Sequence, residues 1–572
     1  MLNLKVKISK SKLGIDTKGP IIVHQSKKWV IKKTKYQDPL DQLFYNRNLL
    51  DKKVRESFLN PNFERDLSDP YLLKNMAQAV DTILSNSKTD SIGIFADYDA
   101  DGITSAVLLS DCLEKLGFKV IVYIPDRNDG YGLSKKGIDL LNQKVKLIIA
   151  LDLGVTGAKE IEYAHNLGLK TIVVDHHLVQ KEKLPKTIVI NPKQNGDKYP
   201  FKDFSAGGLT YKLISAIAKK RPKIISHNYL KWQLDLVAIS TVADIVPLIG
   251  ENRVFVYFGL IVLKKTKNIG LKSLYRASSI DETKINPGMI GFQIAPRINA
   301  PGRIKNANLA YELLKTKDGN KAQQLAKQIQ EINSDRQSEL EIITNEAREI
   351  IIKKKLAKNK IIMLAKTGWK PGLVGLVAGR LMEEFTRPVI ILEKRGTLLK
   401  GSARSIEALH LLDAFEHVSK NLLSFGGHKR AGGLSLEYKH LEEVYENLVV
   451  YCQDKLSDSD IIPKLTIDAE LVKDQLNLSL AQKISQLEPF GFGNPKPVLL
   501  LKNQKVINAS YVGKEKNHLK IQLEHFNAIM FNANTGLENI INTTIDIIFY
   551  PEVNIWNGNK NLSLIVIDYK LS

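Results

Sequence analysis

The sequence predicts an α/β protein in four parts: a parallel-sheet domain, a long connecting helix, a second αβ domain and a carboxyl-terminal all-β barrel of the OB type. Three observations carry this. Strand-like and helix-like segments alternate from residue 91 to residue 177. Residues 318–358 contain no proline and no glycine after Gly319. From about residue 463 the chain becomes short strands separated by Gly, Asn and Lys.

A length of 572 residues exceeds what one hydrophobic core serves, so several domains are expected. Residues 1–70, with basic stretches such as QSKKWVIKKTKYQ and two short candidate helices, read as an accessory segment. In the domain expected over 71–317, strands IGIFA, KVIVYIP, KLIIALDLG and KTIVVDHH alternate with helices ITSAVLLSDCLEKLG, LSKKGIDLLNQ and TGAKEIEYAHNLG. That order predicts right-handed βαβ units and a parallel sheet. Further helices are expected at 206–220 and about 229–243. Leu325, Ile329, Ile332, Leu340, Ile343, Ala347 and Ile350 recur at mostly helical spacing, which predicts one long helix over 318–358, broken at most once. Strand IIMLA, helix GLVGLVAGRLMEEF and strand PVIILEK open the second αβ domain, 359–460. KVINASYVG, HLKIQLE, NAIMF, IDIIFYPE and LSLIVIDYKL supply the barrel, 461–572.

The net charge of +22 fits either a polyanionic partner or a generally lysine-rich composition. Two distant cysteines, Cys112 and Cys452, suggest neither a disulfide framework nor a thiolate metal site. The basic amino terminus lacks the apolar core of a signal peptide, and no run of 18 apolar residues occurs, so a cytoplasmic location without membrane contact is expected.

Asp97, Asp99 and Asp101 in DYDADG resemble the start of a calcium loop, but its twelfth position is Leu108 rather than Glu, and a strand precedes it instead of a helix. A different arrangement brings these residues into use. Three predicted strands end in Asp97, in Asp152, and in Asp175, His176 and His177, and a parallel sheet aligns all such ends on one edge. Asp244, after an apolar helix and before Pro247, is a fourth contributor. Each piece alone has a bland reading as a turn or capped strand end. Crowded together, the carboxylates repel unless a cation neutralises them. Oxygen ligands with one or two imidazoles suit Mn²⁺, with Mg²⁺ possible, and their number exceeds the need of a single ion.

DYDADG, Asp152, DHH at 175–177 and Asp244 resemble the four motifs of the DHH phosphoesterase superfamily. With PRINAPGR, GWKPGLVGLVAGRL, GSARS, FGGHKRAGG and LEPFGFGNPKPV, the chain from about residue 70 onward is similar to that superfamily's single-strand-specific exonuclease branch. The resemblance implies two Mn²⁺ ions held by Asp97, Asp99, Asp152, His176 and Asp244, with Asp152 bridging. It gives Asp101 a ligating or orienting role, His177 a role at the scissile phosphate or leaving group, and Asp175 the task of orienting a histidine. It also implies a substrate surface of Arg297, Asn299, Gly302, Arg303, Arg380, Ser402, Arg404, Gly426, Gly427 and His428. Physically, the arginines offer planar phosphate forks, while the glycines offer close backbone approach.

The expected function is metal-dependent hydrolysis of single-stranded DNA, 5′ to 3′, in recombination and repair. The direction is implied by the resemblance alone. A single-strand-binding protein and a helicase are the protein partners it implies, with the chain acting as a monomer. The rivals are a DHH hydrolase of short RNA or cyclic dinucleotides, against which the barrel argues, and a non-catalytic DNA-binding scaffold, against which the full acidic set argues.

Overall fold

The computed structural model describes residues 27–126, 132–180, 184–304, 306–533, 537–556 and 558–572; residues 1–26 of the expected accessory segment lie outside them. The chain divides into two compact units. One is Trp29–Arg336 with Thr466–Ser572, and the other centres on Gln337–Leu465.

In the first unit, strands β1 (Ser91–Ala96), β2 (Val120–Tyr123), β3 (Val145–Leu151), β4 (Lys170–Val174) and β5 (Ile188–Ile190) form a wholly parallel sheet in the order β2-β1-β3-β4-β5. The sheet's topological switch point therefore lies between β1 and β3, where doubly wound folds bind ligands. Four strands match the sequence expectation. The fifth, β5, is only three residues long and too short to show a period. Apolar residues of β1, β3 and β4 feed two cores, one on each face of the sheet.

Helices α1 (Ala100–Lys115) and α2 (Ala206–Lys220) start at side-chain caps from Asp99 and Ser205. The single helix expected at 229–243 is two, His227–Trp232 and α3 (Leu234–Ala243), meeting at Gln233, whose N–H closes onto the Leu230 carbonyl. PRINAPGR is helical: α4 (Ala295–Ile304) runs through Pro301 and forgoes the hydrogen bond that proline cannot donate. The long helix α5 spans Gly319–Lys353 without a break, as expected of a stretch whose lone glycine is its first residue.

The second unit carries β6 (Ile362–Lys366), α6 (Pro371–Phe385), β7 (Val389–Arg395), β8 (Leu398–Arg404), β9 (Ser424–His428) and β10 (Ala431–Glu437). Its mixed sheet has the order β9-β10-β8-β7-β6. FGGHKRAGG is thus a β-hairpin with its outer strand on the sheet edge, not a free loop.

The barrel, back in the first unit, comprises β11 (Leu499–Val512), β12 (His518–Leu523), β13 (Asn527–Met530), β14 (Thr544–Trp556) and β15 (Asn559–Leu571), and pairing of β11 with β14 closes it. Its core is shared: Leu43, Phe44, Leu49 and Phe58 pack with Leu499, Leu519, Ile547 and Phe549. Arg253, almost fully buried, donates to the carbonyls of Phe58 (2.7 Å), Glu488 (2.6 Å) and Leu487 (3.0 Å). The accessory helices, the barrel and the parallel-sheet domain are therefore locked to one another. Among the described residues no helix is long and apolar enough to cross a membrane.

Candidate metal centre

Asp97 leaves the end of β1 and is buried; its Oδ1 accepts the Tyr98 N–H at 2.8 Å. Asp99 caps α1, accepting from Asp101 N (2.9 Å) and Gly102 N (3.2 Å). The turn is tight enough that a Cβ at Gly102 would lie 2.4 Å from the Asp97 carbonyl oxygen. Asp152 follows β3 at φ 65°, a left-handed conformation that Asp adopts more readily than most residues. Asp244 caps the end of α3.

The strand ends bring these groups together. Ligand atoms of Asp97, Asp99 and Asp152 lie within 4.8 Å of one another, as do those of Asp152, His176 and His177, and those of Asp101, His176 and Asp244. Asp152 belongs to two of these sets, the position a bridging carboxylate needs.

Burial, reinforced by neighbouring carboxylates, pushes the acid groups up: Asp97 to about 8, Asp101 to about 7, Asp244 to about 9, and Asp152 well above its ordinary range. Burial and the adjacent His177 lower His176 to about 3, so its imidazole is neutral. Its Nε2 lies 3.3 Å from Asp152 Oδ1, 3.5 Å from Asp244 Oδ2 and 3.9 Å from Asp101 Oδ2, yet makes no hydrogen bond. With the ring uncharged, these contacts are not ion pairs. A buried, unpartnered imidazole nitrogen facing mutually repelling carboxylates is a donor set that a divalent cation completes, and its oxygen-rich make-up suits Mn²⁺ or Mg²⁺.

Asp101 and Asp175 have other partners. Both oxygens of Asp101 are engaged: Oδ2 accepts from Ala206 N (2.8 Å), and Oδ1 from Gly207 N (2.9 Å) and Ser240 Oγ. Its contacts fit the orienting role better than the ligating one. Asp175 is buried and accepts His177 Nδ1 at 2.7 Å and the Val155 N–H at 2.9 Å. Burial would lower His177, but the Asp175 bond and nearby carboxylates win and raise it. Burial would likewise raise Asp175, but the His177 hydrogen bond holds it low.

PRINAPGR serves this centre from behind. Asn299 Oδ1 accepts the Ala100 N–H at 2.6 Å, and Gly302 lets α4 approach so closely that a Cβ there would lie 2.8 Å from the Tyr98 carbonyl oxygen. Arg297 donates to Gln330 Oε1 (2.8 Å) and to the Gln293 carbonyl (2.6 Å). Asn299 and Gly302 thus brace the DYDADG loop, while Arg297 ties α4 to Gln330 of α5. Arg303 is half-exposed.

In the second unit, cross-strand register aligns Arg404 with Ala431 and His428, and Ser402 with Gly433 and Gly426. Registered partners share a sheet face, so Arg404, His428, Ser402 and Gly426 look the same way. Gly427, at φ 140°, has no room for a Cβ against the Ala431 carbonyl, 2.3 Å away. Arg380 is exposed on α6. The glycine face of that helix accommodates Arg404, whose Nη2 would lie 3.4 Å from a Cβ at Gly375.

Sequence reasoning missed Ser240, Gly207, Lys193 and Asn191. Lys193 Nζ and Asn191 Nδ2 donate to the His176 and His177 carbonyls at 2.8 and 2.9 Å, holding the DHH turn. Asn191 and Lys193, within NPK after β5, were visible as a polar break, but β5 itself was not recognised.

Family models match three regions: the DHH family N-terminal domain over 91–241, the DHHA1 domain over 357–454 and the RecJ OB domain over 467–568. A single-stranded-DNA-specific exonuclease RecJ from Bacillus subtilis is 35% identical over 89% of this chain, which spans 65% of that protein's length. The protein of the same name from Haemophilus influenzae is 30% identical over 93% of this chain and 97% of its own. A crystal structure of Thermus thermophilus RecJ in complex with Mn²⁺ has the same fold, with a TM-score of 0.80, 24% identity, and coverage of 95% of this chain and 80% of that one. The same Thermus protein in complex with Mg²⁺ gives a TM-score of 0.73 at 24% identity, over 95% of this chain and 78% of that one. With this identity sustained over nearly the whole Haemophilus protein, and with DHH, DHHA1 and RecJ OB domains all matched along it, the chain belongs to the RecJ family.

Proposed function

We propose that the chain is a metal-dependent exonuclease that hydrolyses single-stranded DNA from the 5′ end in recombination and repair. The observation that carries the metal dependence is the unpartnered Nε2 of buried His176 among the carboxylates of Asp152, Asp244 and Asp101. Family membership carries the substrate. Asp97, Asp99, Asp152, His176 and Asp244 would hold two divalent ions, Mn²⁺ or Mg²⁺, with Asp152 between them. Bound there, the ions would supply an activated water and charge stabilisation for the departing oxygen.

The chain's own residues do the rest. Asp175 fixes the His177 ring through Nδ1 and keeps it cationic further toward neutral pH, suited to contact the scissile phosphate or to protonate the leaving oxygen. Asp101 anchors the α2 amino terminus, so that the ligand-bearing loop is set before substrate arrives. Arg303 is the phosphate fork of the first unit. In the second unit the aligned Arg404, His428, Ser402 and Gly426, with Gly427 and Arg380, form an anion-binding face for a strand phosphate. The barrel and the net charge of +22 hold the incoming strand by backbone charge and base stacking.

We take the functional limits to be 71–317, 318–358, 359–460 and 461–572, and place the protein in the cytoplasm as a monomer working with a single-strand-binding protein and a helicase. The test is degradation of end-labelled single-stranded and duplex DNA with Mn²⁺, with Mg²⁺ and with chelator. Metal-dependent release of nucleotides from single strands at the 5′ end supports the reading. Release from the 3′ end overturns the direction. Turnover restricted to short RNA or cyclic dinucleotides overturns the substrate, and strand binding without turnover in either metal makes the chain a scaffold.

A further inference from the structure

Ile245 stands where neither burial nor backbone preference accounts for it. It directly follows Asp244 and lies at φ 58°, the left-handed position after a helix end that favours Gly or Asn and disfavours β-branched residues. Its side chain is 67% exposed, so no core packing compensates. The turn it makes, Ile245 N–H to the Val242 carbonyl at 3.2 Å, would suit glycine better. A strained, exposed, apolar residue beside a metal-binding position points to a contact made outside the chain.

A second exposed apolar residue is anchored to the same segment. The Phe492 carbonyl accepts the Leu248 N–H at 2.7 Å, and the Phe492 ring is 60% exposed. The flanking glycines allow this approach: a Cβ at Gly491 would lie 2.6 Å from the Leu248 side chain, and one at Gly493, φ 75°, 2.8 Å from Pro247. Asn494 Nδ2 ties the loop back on itself through the Leu487 (2.8 Å) and Pro489 (3.0 Å) carbonyls. The loop is therefore braced against Pro247 and Leu248, three and four residues after Asp244, and it presents an exposed aromatic residue there.

We propose that Ile245 and Phe492 form an apolar platform at the rim of the metal centre that receives a nucleobase of the bound strand and so positions the scissile phosphate. The proposal rests on the exonuclease reading. Ile245 adjoins Asp244, within the span of one nucleotide from a phosphate held there, and only an unpaired, unstacked base offers a bare face to an apolar surface. The platform would thus add discrimination against duplex at the site itself.

The test compares stepwise cleavage of an intact single strand with that of one carrying a single abasic nucleotide, using the wild type, Ile245→Gly and Phe492→Ala. The wild type should slow about tenfold at the abasic step, the order of one lost stacking contact. In each variant the intact steps should slow toward the abasic rate, mainly through KM, so that the difference shrinks. Ile245→Gly should melt no lower than the wild type, because glycine relieves the backbone. A wild type that cleaves with no abasic slowing, or variants that keep the full difference, overturns the platform alone. A wild type that cleaves no strand overturns the exonuclease reading and the platform with it.

Discussion

Asp152→Asn should abolish hydrolysis and make the metal-free protein more stable at alkaline pH. Without metal, Asp152 adds its charge to those of Asp101, Asp99, Asp97 and Asp244 in a buried site. An unfolded aspartate titrates near 3.9, whereas Asp101, Asp97 and Asp244 in the fold are pushed to about 7, 8 and 9. Because these folded values are raised, the stability they contribute is fully present below about pH 4 and is lost as pH climbs through 7 to 9. The metal-free wild type should therefore melt lower at pH 9 than at pH 5. One pKa unit corresponds to about 1.4 kcal/mol; if removing one carboxylate returns one to two units among its neighbours, Asp152→Asn gains about 1–3 kcal/mol at pH 8. Asparagine accepts the φ of 65° at this position. Alanine does not, so Asp152→Ala should fall about 1–2 kcal/mol below the Asn variant. Thermal melts in chelator at pH 5, 8 and 9, a Mn²⁺ titration by calorimetry and a nuclease assay decide the matter. An Asn variant that melts below the wild type in chelator at pH 8, or that still turns over, refutes the reasoning.

Gly207→Ala would place a Cβ 2.3 Å from Ser240 Oγ and disturb the donors on Asp101; Mn²⁺ affinity should drop by about 10–100-fold, read by calorimetry. Arg303→Lys should raise KM for single strands, and Arg303→Ala should raise it more, because a point charge replaces a planar fork; unchanged kinetics in both would remove Arg303 from the phosphate surface. Arg253→Met strands the buried carbonyls of Phe58, Leu487 and Glu488 and should cost about 1–3 kcal/mol in a denaturant titration. Deleting residues 463–572 should lower single-strand affinity and flatten its salt dependence, but it also uncovers Leu43, Phe44, Leu49 and Phe58, so the truncated chain should melt well below the full chain in a thermal scan.

The carboxylate cluster was legible because a parallel sheet converts sequence order into spatial order. Once 91–96, 145–151 and 170–174 are strands of one parallel sheet, Asp97, Asp152 and His176 must share an edge. Nothing comparable reveals partners supplied by helices, whether from a side chain or from a backbone N–H. Ser240 sits in an apolar helix and Gly207 in a helix start, and only packing shows that both converge on Asp101. PRINAPGR shows a related limit: arginine, asparagine and glycine suit a phosphate-binding surface, and they suit equally well a helix that approaches and caps another backbone. Packing against Tyr98 and Ala100 shows the second use, with Pro301 inside the helix. FGGHKRAGG hid its strands because glycine carries no alternating pattern. Asp152 and Ile245 show a further limit, since a positive φ in a residue other than glycine leaves no mark in the sequence.

The same topology explains how so many acids tolerate one another before metal arrives, and why the tolerance is incomplete. Two helices begin at the cluster: Asp99 caps α1, and Asp101 accepts the first N–H groups of α2. A helix amino terminus stabilises a nearby carboxylate by about 0.3–1 kcal/mol when exposed and up to about 2 kcal/mol when partly buried. Raising Asp97 from its ordinary value to about 8 implies a larger opposing free energy, since each unit is worth about 1.4 kcal/mol. The helix ends can therefore hold Asp99 and Asp101 in place, but they cannot keep Asp97, Asp152 and Asp244 all ionised. The metal-free site must take up protons at neutral pH, and binding a divalent ion must release them. Calorimetry of Mn²⁺ binding at pH 7 in buffers of differing ionisation enthalpy should show release of at least one proton per protein. A buffer-independent enthalpy would mean that the carboxylates are already ionised, and the electrostatic account of the site would fail.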